Sequence, residues 1–120
     1  MSKLLIIDDE ADIREFAESY FKKRGIEVFT AASGHEGLEM INANNPDIVL
    51  LDMRMEGMSG MDVLRELRAK NISTKVILVS GIEESEETNE ARALGVVDFA
   101  HKPLNLGDLE KIVRRELEGK

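Results

Sequence analysis

Three short apolar runs, each followed by a polar residue, constrain the fold of this chain more than any other feature. Residues 4–7 are followed by Asp8 and Asp9, residues 48–51 by Asp52, and residues 76–79 by Ser80. Uninterrupted apolar runs of this length are typical of parallel strands that are buried on both faces. Because open α/β sheets bind ligands beyond the carboxyl ends of their strands, we expect these polar side chains to line one acidic pocket.

Segments of helical periodicity alternate with the apolar runs, which predicts five strand–helix repeats and an α/β fold. The second and fifth strands are expected over residues 27–30 and 96–100. Gly25 is expected to cap the first helix, Ser33 the second and Asn105 the fifth. The side chains expected to face the core are Ile13, Phe16, Ala17, Tyr20 and Phe21; Leu38 and Ile41; Met61, Leu64 and Leu67; and Leu109, Ile112, Val113 and Leu117.

The fourth helix, expected over about residues 84–94, is the poorest in apolar residues. Only Thr88, Ala91 and Leu94 have inward spacing, and glutamates occupy much of the rest. Since little apolar area can be buried there, we expect this helix to have the weakest anchoring in the domain.

Composition excludes several classes of function. The chain has 120 residues, which suits a single domain over residues 1–120, and its net charge of −8 argues against direct binding of nucleic acid. It contains no cysteine, so disulfides and thiolate metal sites are excluded. No signal peptide or membrane-spanning stretch is recognisable, and a cytoplasmic protein is expected.

The strand-end residues suggest magnesium and phosphoryl chemistry. Asp8, Asp9 and Asp52 would repel one another unless a cation relieved them, and all-oxygen ligands favour magnesium. Asp52, at the end of the strand expected to be central, could then act as a nucleophile or phosphate acceptor. Ser80 and Lys102 could neutralise the oxygens of a phosphoryl group there. Each residue alone also suits an ordinary turn or surface position, but five such residues at four strand ends favour a site.

In its motifs the chain resembles the receiver domains of two-component response regulators, over nearly all its length. The matching motifs are Asp8-Asp9-Glu10 after the first run, Asp52 with Gly60 eight residues on, Ser80-Gly81, and Lys102-Pro103. The resemblance implies a flavodoxin-like, doubly wound sheet of five parallel strands in the order 2-1-3-4-5, with five helices.

The resemblance also implies a role for each site residue. Asp52 would accept a phosphoryl group from a sensor histidine kinase or phosphotransfer protein, making the domain a switch and not a turnover enzyme. The implied magnesium ligands are Asp9, Asp52 and the backbone carbonyl of Arg54, with Asp8 reaching the ion through water. Ser80 and Lys102 would bind the phosphoryl oxygens.

Signal transmission is likewise implied by the resemblance. Ser80 would turn toward the phosphoryl group while Phe99, on the fifth strand, swings inward, although Phe99 could equally be a core residue. A cis peptide before Pro103 would aim Lys102 into the pocket. The altered face, built from the fourth helix, fifth strand and fifth helix, would control a downstream protein or a fused output domain, as a monomer or through a phosphorylation-linked dimer.

Two residues bear on how long the phosphorylated form would last. Arg54 and Ile82 occupy positions that tune dephosphorylation in relatives, and they could give a long-lived phosphoform. Changing Arg54 to Asn and Ile82 to Glu should then speed autodephosphorylation. Arg54 could instead be a surface residue paired with Glu10 or Glu56.

Three other functions compete with a phosphoacceptor switch. A phosphohydrolase of the haloacid dehalogenase type would need an acid where Arg54 stands. A flavodoxin-like FMN carrier would need a Ser-, Thr- and Gly-rich loop after the first strand, where this chain has Asp8-Asp9-Glu10. A scaffold without phosphorylation would not need the complete set of site residues.

Overall fold

A computed structural model describes residues 2–81 and 86–118 of the chain. Five strands alternate with five helices, as the sequence predicts. The strands are β1 (Lys3–Ile7), β2 (Glu27–Ala31), β3 (Ile48–Asp52), β4 (Lys75–Ser80) and β5 (Asp98–His101). The helices are α1 (Ala11–Lys22), α2 (Gly34–Asn44), α3 (Gly60–Ala69), α4 (Glu86–Ala93) and α5 (Leu106–Glu118).

All five strands are parallel and lie in the order β2-β1-β3-β4-β5, which confirms the expected topology. The central strand β3 is buried along its whole length. Side chains alternate between two core clusters, so that Leu50 packs with Phe21 and Val113 on one face and Leu51 packs with Leu64 on the other. The parallel arrangement brings the carboxyl ends of all five strands to one edge.

Most of the expected core residues are buried or half-buried, but Phe16 is not. Its relative exposure is 67%, whereas Ala17 and Phe21 on the same helix are at most 1% exposed. The apolar stripe of α1 is wider than the surface the sheet covers, so Phe16 lies at its uncovered margin. The sequence pattern cannot distinguish a covered stripe from one that extends beyond the contact.

The expected helix caps are present, and one strand end differs from expectation. Helix α1 ends at Lys22, and Gly25, with φ of 81°, closes its carboxyl end as expected, since the backbone N–H groups of Gly25 and Ile26 donate to carbonyl oxygens of the last turn. The structure assigns β5 to Asp98–His101, two residues later at its start than expected. Ser33 and Asn105 do cap α2 and α5, since their side-chain oxygens accept hydrogen bonds from the backbone N–H groups of Glu36 and Asp108.

Polar contacts supply much of the attachment of α4 to α3. In α4 only Thr88 and Ala91 are buried. Arg65 binds both carboxylate oxygens of Glu90 at 2.7 Å, and Arg68 donates to the carbonyl oxygen of Leu94 at 2.6 Å. The low apolar burial agrees with the expected weak anchoring of this helix. Residues 84 and 85, where the sequence predicts its start, lie outside the described residues.

Within the described ranges, no helix is both long enough and apolar enough to cross a membrane.

Candidate functional site

Three polar side chains are buried together at the carboxyl edge of the sheet. Asp8, Asp52 and Ser80 have relative exposures of 3%, 2% and 1%. Asp8 follows β1, Asp52 ends the neighbouring strand β3, and Ser80 ends β4 next to it. The strand order therefore explains why residues far apart in sequence meet at one position.

Lys102 enters this position from the loop after β5. Its Nζ lies 3.2 Å from Oδ2 of Asp52, and its backbone N–H donates to the carbonyl oxygen of Ser80 at 3.1 Å. The Lys102–Pro103 peptide bond is cis, as the sequence resemblance implies. The other carboxylate oxygen of Asp52 accepts a hydrogen bond from the backbone N–H of Arg54 at 3.2 Å. Both oxygens of Asp52 are thus held by donors.

The loop after β1 places Asp8 and Asp9 differently. Asp8 is buried, and its Oδ1 accepts a hydrogen bond from the backbone N–H of Glu10 at 2.9 Å. The Arg14 guanidinium donates a hydrogen bond to the Asp8 carbonyl oxygen at 2.8 Å and so links α1 to this loop. Asp9 is exposed, and its carboxylate accepts from the backbone N–H of Glu56 at 3.2 Å. The two acids therefore offer one buried and one accessible carboxylate.

Burial controls the electrostatics of the site. Desolvation raises the pKa of Asp8 to about 6, because the charged form loses its hydration, and the nearby charge of Asp52 adds to this. Desolvation also raises the pKa of Asp52, opposed by hydrogen bonds from the Arg54 N–H and Lys102. Burial lowers the pKa of Lys102, but its contact with Asp52 outweighs this and raises it overall. The carboxylates of the site therefore carry more negative charge than the Lys102 ammonium can neutralise.

The donor set suits a hard divalent cation. Among the described residues, carboxylate oxygens of Asp8, Asp9 and Glu10 lie within 4.8 Å of one another. An all-oxygen set of this kind fits magnesium or calcium better than zinc or copper. Glu10 is a member that the sequence reasoning did not assign to the site, although its position directly after Asp9 is a signal that could have indicated it.

A groove of about 430 Å³ opens beside these acids, and Arg54 lines it with Asp9 and Glu56. The Arg54 side chain is exposed, and no ion pair joins it to Glu10 or Glu56, all three being among the described residues. The pairing considered from the sequence is therefore absent here. Ile82, the other expected rate-tuning residue, lies outside the described residues.

The switch residue that the resemblance implies, Phe99, lies on β5, the strand that precedes Lys102. Phe99 is half-buried on β5 and packs at the edge of the core, and the guanidinium carbon of Arg92 lies 5.1 Å from the centre of its ring. His35 and His101 are exposed. The Phe99 ring therefore lies beside α4, and a movement of either β5 or α4 would alter its surroundings.

Gly60 fixes the distance between α3 and the end of β3. A Cβ atom there would overlap the carbonyl oxygen of Asp52 and lie 2.8 Å from Cα of Met53. We expect Gly60→Ala to lower the free energy of unfolding by about 1–2 kcal/mol because backbone must shift to make room. Urea unfolding would measure the loss.

Gly81→Ala is the matched control for Gly60→Ala, since a Cβ at Gly81 would meet no atom of the described residues within 4 Å. Its free energy of unfolding should stay within about 0.5 kcal/mol of the original protein. Equal losses in both variants would contradict the steric explanation.

Comparisons with known proteins agree on one family. The family model described as the response regulator receiver domain matches residues 4–114. Sporulation initiation phosphotransferase F of Bacillus subtilis is 31% identical, over 96% of this chain and 93% of that protein. Regulatory protein AtoC of Escherichia coli is 36% identical over 98% of this chain, which spans only 26% of AtoC. A response regulator receiver protein from Pseudomonas putida superposes with a TM-score of 0.90 and 34% identity, covering 95% of this chain and 96% of that one.

Proposed function

The chain belongs to the receiver domains of two-component response regulators, and from this membership we propose that Asp52 is its phosphoacceptor. The observation that carries the proposal is the contact of 3.2 Å between Asp52, which is 2% exposed, and Lys102 at the carboxyl edge of the sheet. A buried carboxylate with a cation beside it can attack phosphorus, while the cation is positioned for the incoming oxygens.

The reaction is a displacement at phosphorus. A carboxylate oxygen of Asp52 forms a bond to phosphorus as the bond from phosphorus to the leaving group breaks, and the leaving group departs with that electron pair. Lys102 neutralises a phosphoryl oxygen, and the Ser80 hydroxyl donates to another. Asp9, Asp52 and the backbone carbonyl of Arg54 would hold magnesium, with Asp8 reaching the ion through water. When bound, the ion supplies positive charge to the crowded acids and the phosphoryl oxygens.

Incubation with acetyl phosphate tests the proposed function. Intact mass should show a single phosphoryl adduct when magnesium is present and none when EDTA removes it. Slow loss of the adduct would support a switch. Continuous hydrolysis of a phosphoester would favour the phosphohydrolase, and a protein that purifies with bound yellow flavin would favour the FMN carrier.

The switch output is proposed to involve the surface of α4, β5 and α5. Phe99 lies there with Arg92 near its ring, and α4 has few buried residues, so a small difference in contacts could shift it. Residues 1–120 would form one receiver domain, acting on a downstream protein or a fused output domain in the cytoplasm. Sedimentation before and after phosphorylation would separate a monomer from a phosphorylation-linked dimer.

The phosphodonor is proposed to be a sensor histidine kinase or phosphotransfer protein that docks beside α1. A groove of about 250 Å³ there is lined by Ile13, Phe16 and Leu104, and it also borders Lys102. Phe16 is the large apolar residue that this surface exposes. A donor seated in this groove would lie next to the reaction site.

We expect Phe16→Ala to weaken transfer from a phosphorylated histidine phosphotransfer domain about tenfold, since a central apolar contact contributes about 1–2 kcal/mol. Transfer from acetyl phosphate should not change, because that donor needs no docking surface. Rates with both donors, followed by intact mass, check this. A similar loss with acetyl phosphate would mean that Phe16 acts on the site itself.

The lifetime of the phosphoform is proposed to depend on Arg54 and Ile82. Arg54 is exposed at the mouth of the groove beside Asp9, where its guanidinium could pair with phosphoryl oxygens. The autodephosphorylation rate of the Arg54→Asn and Ile82→Glu double variant tests this, and an unchanged or slower rate would count against it.

A further inference from the structure

Glu10 lies between the reaction site and the groove beside α1. Its Oε1 is 3.5 Å from Nζ of Lys102, and the same Nζ is 3.2 Å from Oδ2 of Asp52. Glu10 and Lys102 both line the groove as well. The ammonium group is therefore shared between a buried carboxylate of the site and a carboxylate whose side chain is 61% exposed.

The Glu10 side chain is available for this contact because it does not cap its helix. Glu10 is the N-cap residue of α1, yet it makes no side-chain cap hydrogen bond, whereas Ser33 and Ser59 cap α2 and α3. An N-cap side chain normally accepts from the first turn of the helix. Within residues 2–81 and 86–118, the ion pair with Lys102 is the one hydrogen bond or ion pair of the Glu10 carboxylate.

We propose that Glu10 is a positioning residue that restrains Lys102 before phosphoryl transfer, and that moving Glu10 away frees the ammonium for the phosphoryl oxygens. This rests on Asp52 being the phosphoacceptor. As negative charge moves outward from Asp52 onto the phosphoryl group, Lys102 must follow it, and the contact with Glu10 opposes that movement. Because the pair is exposed, it is weak enough for a donor in the groove to break.

The restraint predicts a faster reaction without the Glu10 charge. With acetyl phosphate and saturating magnesium, Glu10→Gln should raise the maximal phosphorylation rate about two- to fivefold at low ionic strength, the range expected for an exposed ion pair. The donor concentration at half-maximal rate should change less. In about 1 M salt the two proteins should converge, because screening already weakens the contact in the original protein.

Two further variants separate contact from general charge. Glu118→Gln removes the same charge from the end of α5. This end of α5 lies at the opposite edge of the sheet, since Lys75 at the start of β4 donates to the carbonyl oxygen of Glu116. The Glu118→Gln variant should react like the original protein. Glu10→Asp keeps the charge but is shorter and is a better N-cap, so it should also react faster. If Glu10→Asp reacts at the original rate while Glu10→Gln reacts faster, the charge of Glu10 and not its contact with Lys102 sets the rate, and the proposal is overturned.

The remaining outcomes are also decisive. A slower Glu10→Gln variant that needs more magnesium would mean that Glu10 acts on the metal, and an unchanged rate would mean that it acts on neither; each overturns the restraint. If the original protein takes up no phosphoryl group at all, the proposed function itself fails.

Discussion

Replacing Asp52 with asparagine is expected to abolish phosphorylation by acetyl phosphate. The substitution keeps an oxygen that can accept the hydrogen bond from the Arg54 N–H, but the neutral amide is a poor nucleophile and no longer pairs with Lys102. Asp8 and Asp9 are not expected to substitute, because the Lys102 ammonium contacts Asp52 and, among the described residues, forms no hydrogen bond or ion pair with Asp8 or Asp9. Intact mass after incubation with magnesium and acetyl phosphate measures the result.

Asp47→Asn is a suitable control for this loss. Asp47 is exposed at the opposite edge of the sheet, where its carboxylate accepts from the backbone N–H of Lys3. Asparagine keeps that acceptor, so the control should be phosphorylated like the original protein. An adduct of normal yield on the Asp52→Asn protein would show that another residue is the acceptor.

Replacing Asp8 with asparagine is expected to stabilise the fold at neutral pH. The pKa of Asp8 is about 6 in the folded chain, against 3.8 in a model peptide, so the folded state binds its proton more tightly than the unfolded state. The stability that this tighter proton binding gives the folded state is fully present below about pH 4 and is lost as the pH rises through about 6. At pH 7.5 the ionised carboxylate is therefore unfavourable by up to about 3 kcal/mol, at about 1.4 kcal/mol per pKa unit.

Asparagine removes this penalty and can still accept the hydrogen bond from the Glu10 N–H. In EDTA the Asp8→Asn protein should unfold at higher urea than the original protein at pH 7.5, and the difference should vanish near pH 4. Magnesium should stabilise the original protein more than the variant, narrowing the gap. A variant that is less stable than the original at pH 7.5 in EDTA would contradict the conclusion that burial makes the charged form of Asp8 unfavourable.

Three of the strands could be predicted because each is an uninterrupted apolar run, and the other two because they fall in the same strand–helix repeat. Their order could be predicted because the motifs together identify the family. The acids at the strand ends follow from the same logic, since parallel strands bring distant residues such as Asp52 and Ser80 to one edge. The exposure of Phe16 could not be predicted, because helical periodicity gives the direction of a side chain but not the extent of the covering surface.

The contact between Glu10 and Lys102 could not be predicted from the sequence either. It depends on the loop after β5, which lines the same groove as Glu10, and on Glu10 not capping its own helix. Glutamate is a weak N-cap, so a local rule hints that its side chain is available, but no local rule names its partner. Long-range pairings between loops depend on tertiary geometry that sequence spacing does not record.

The position of the phosphoryl group tests the central claim most directly. Borohydride reduces an aspartyl phosphate to homoserine, so reduction of the phosphorylated original protein followed by tandem mass spectrometry identifies the acceptor residue. We predict homoserine at position 52 and unmodified aspartate at positions 8 and 9. Homoserine at either of those positions, or a phosphoryl group on His35 or His101, would contradict the account.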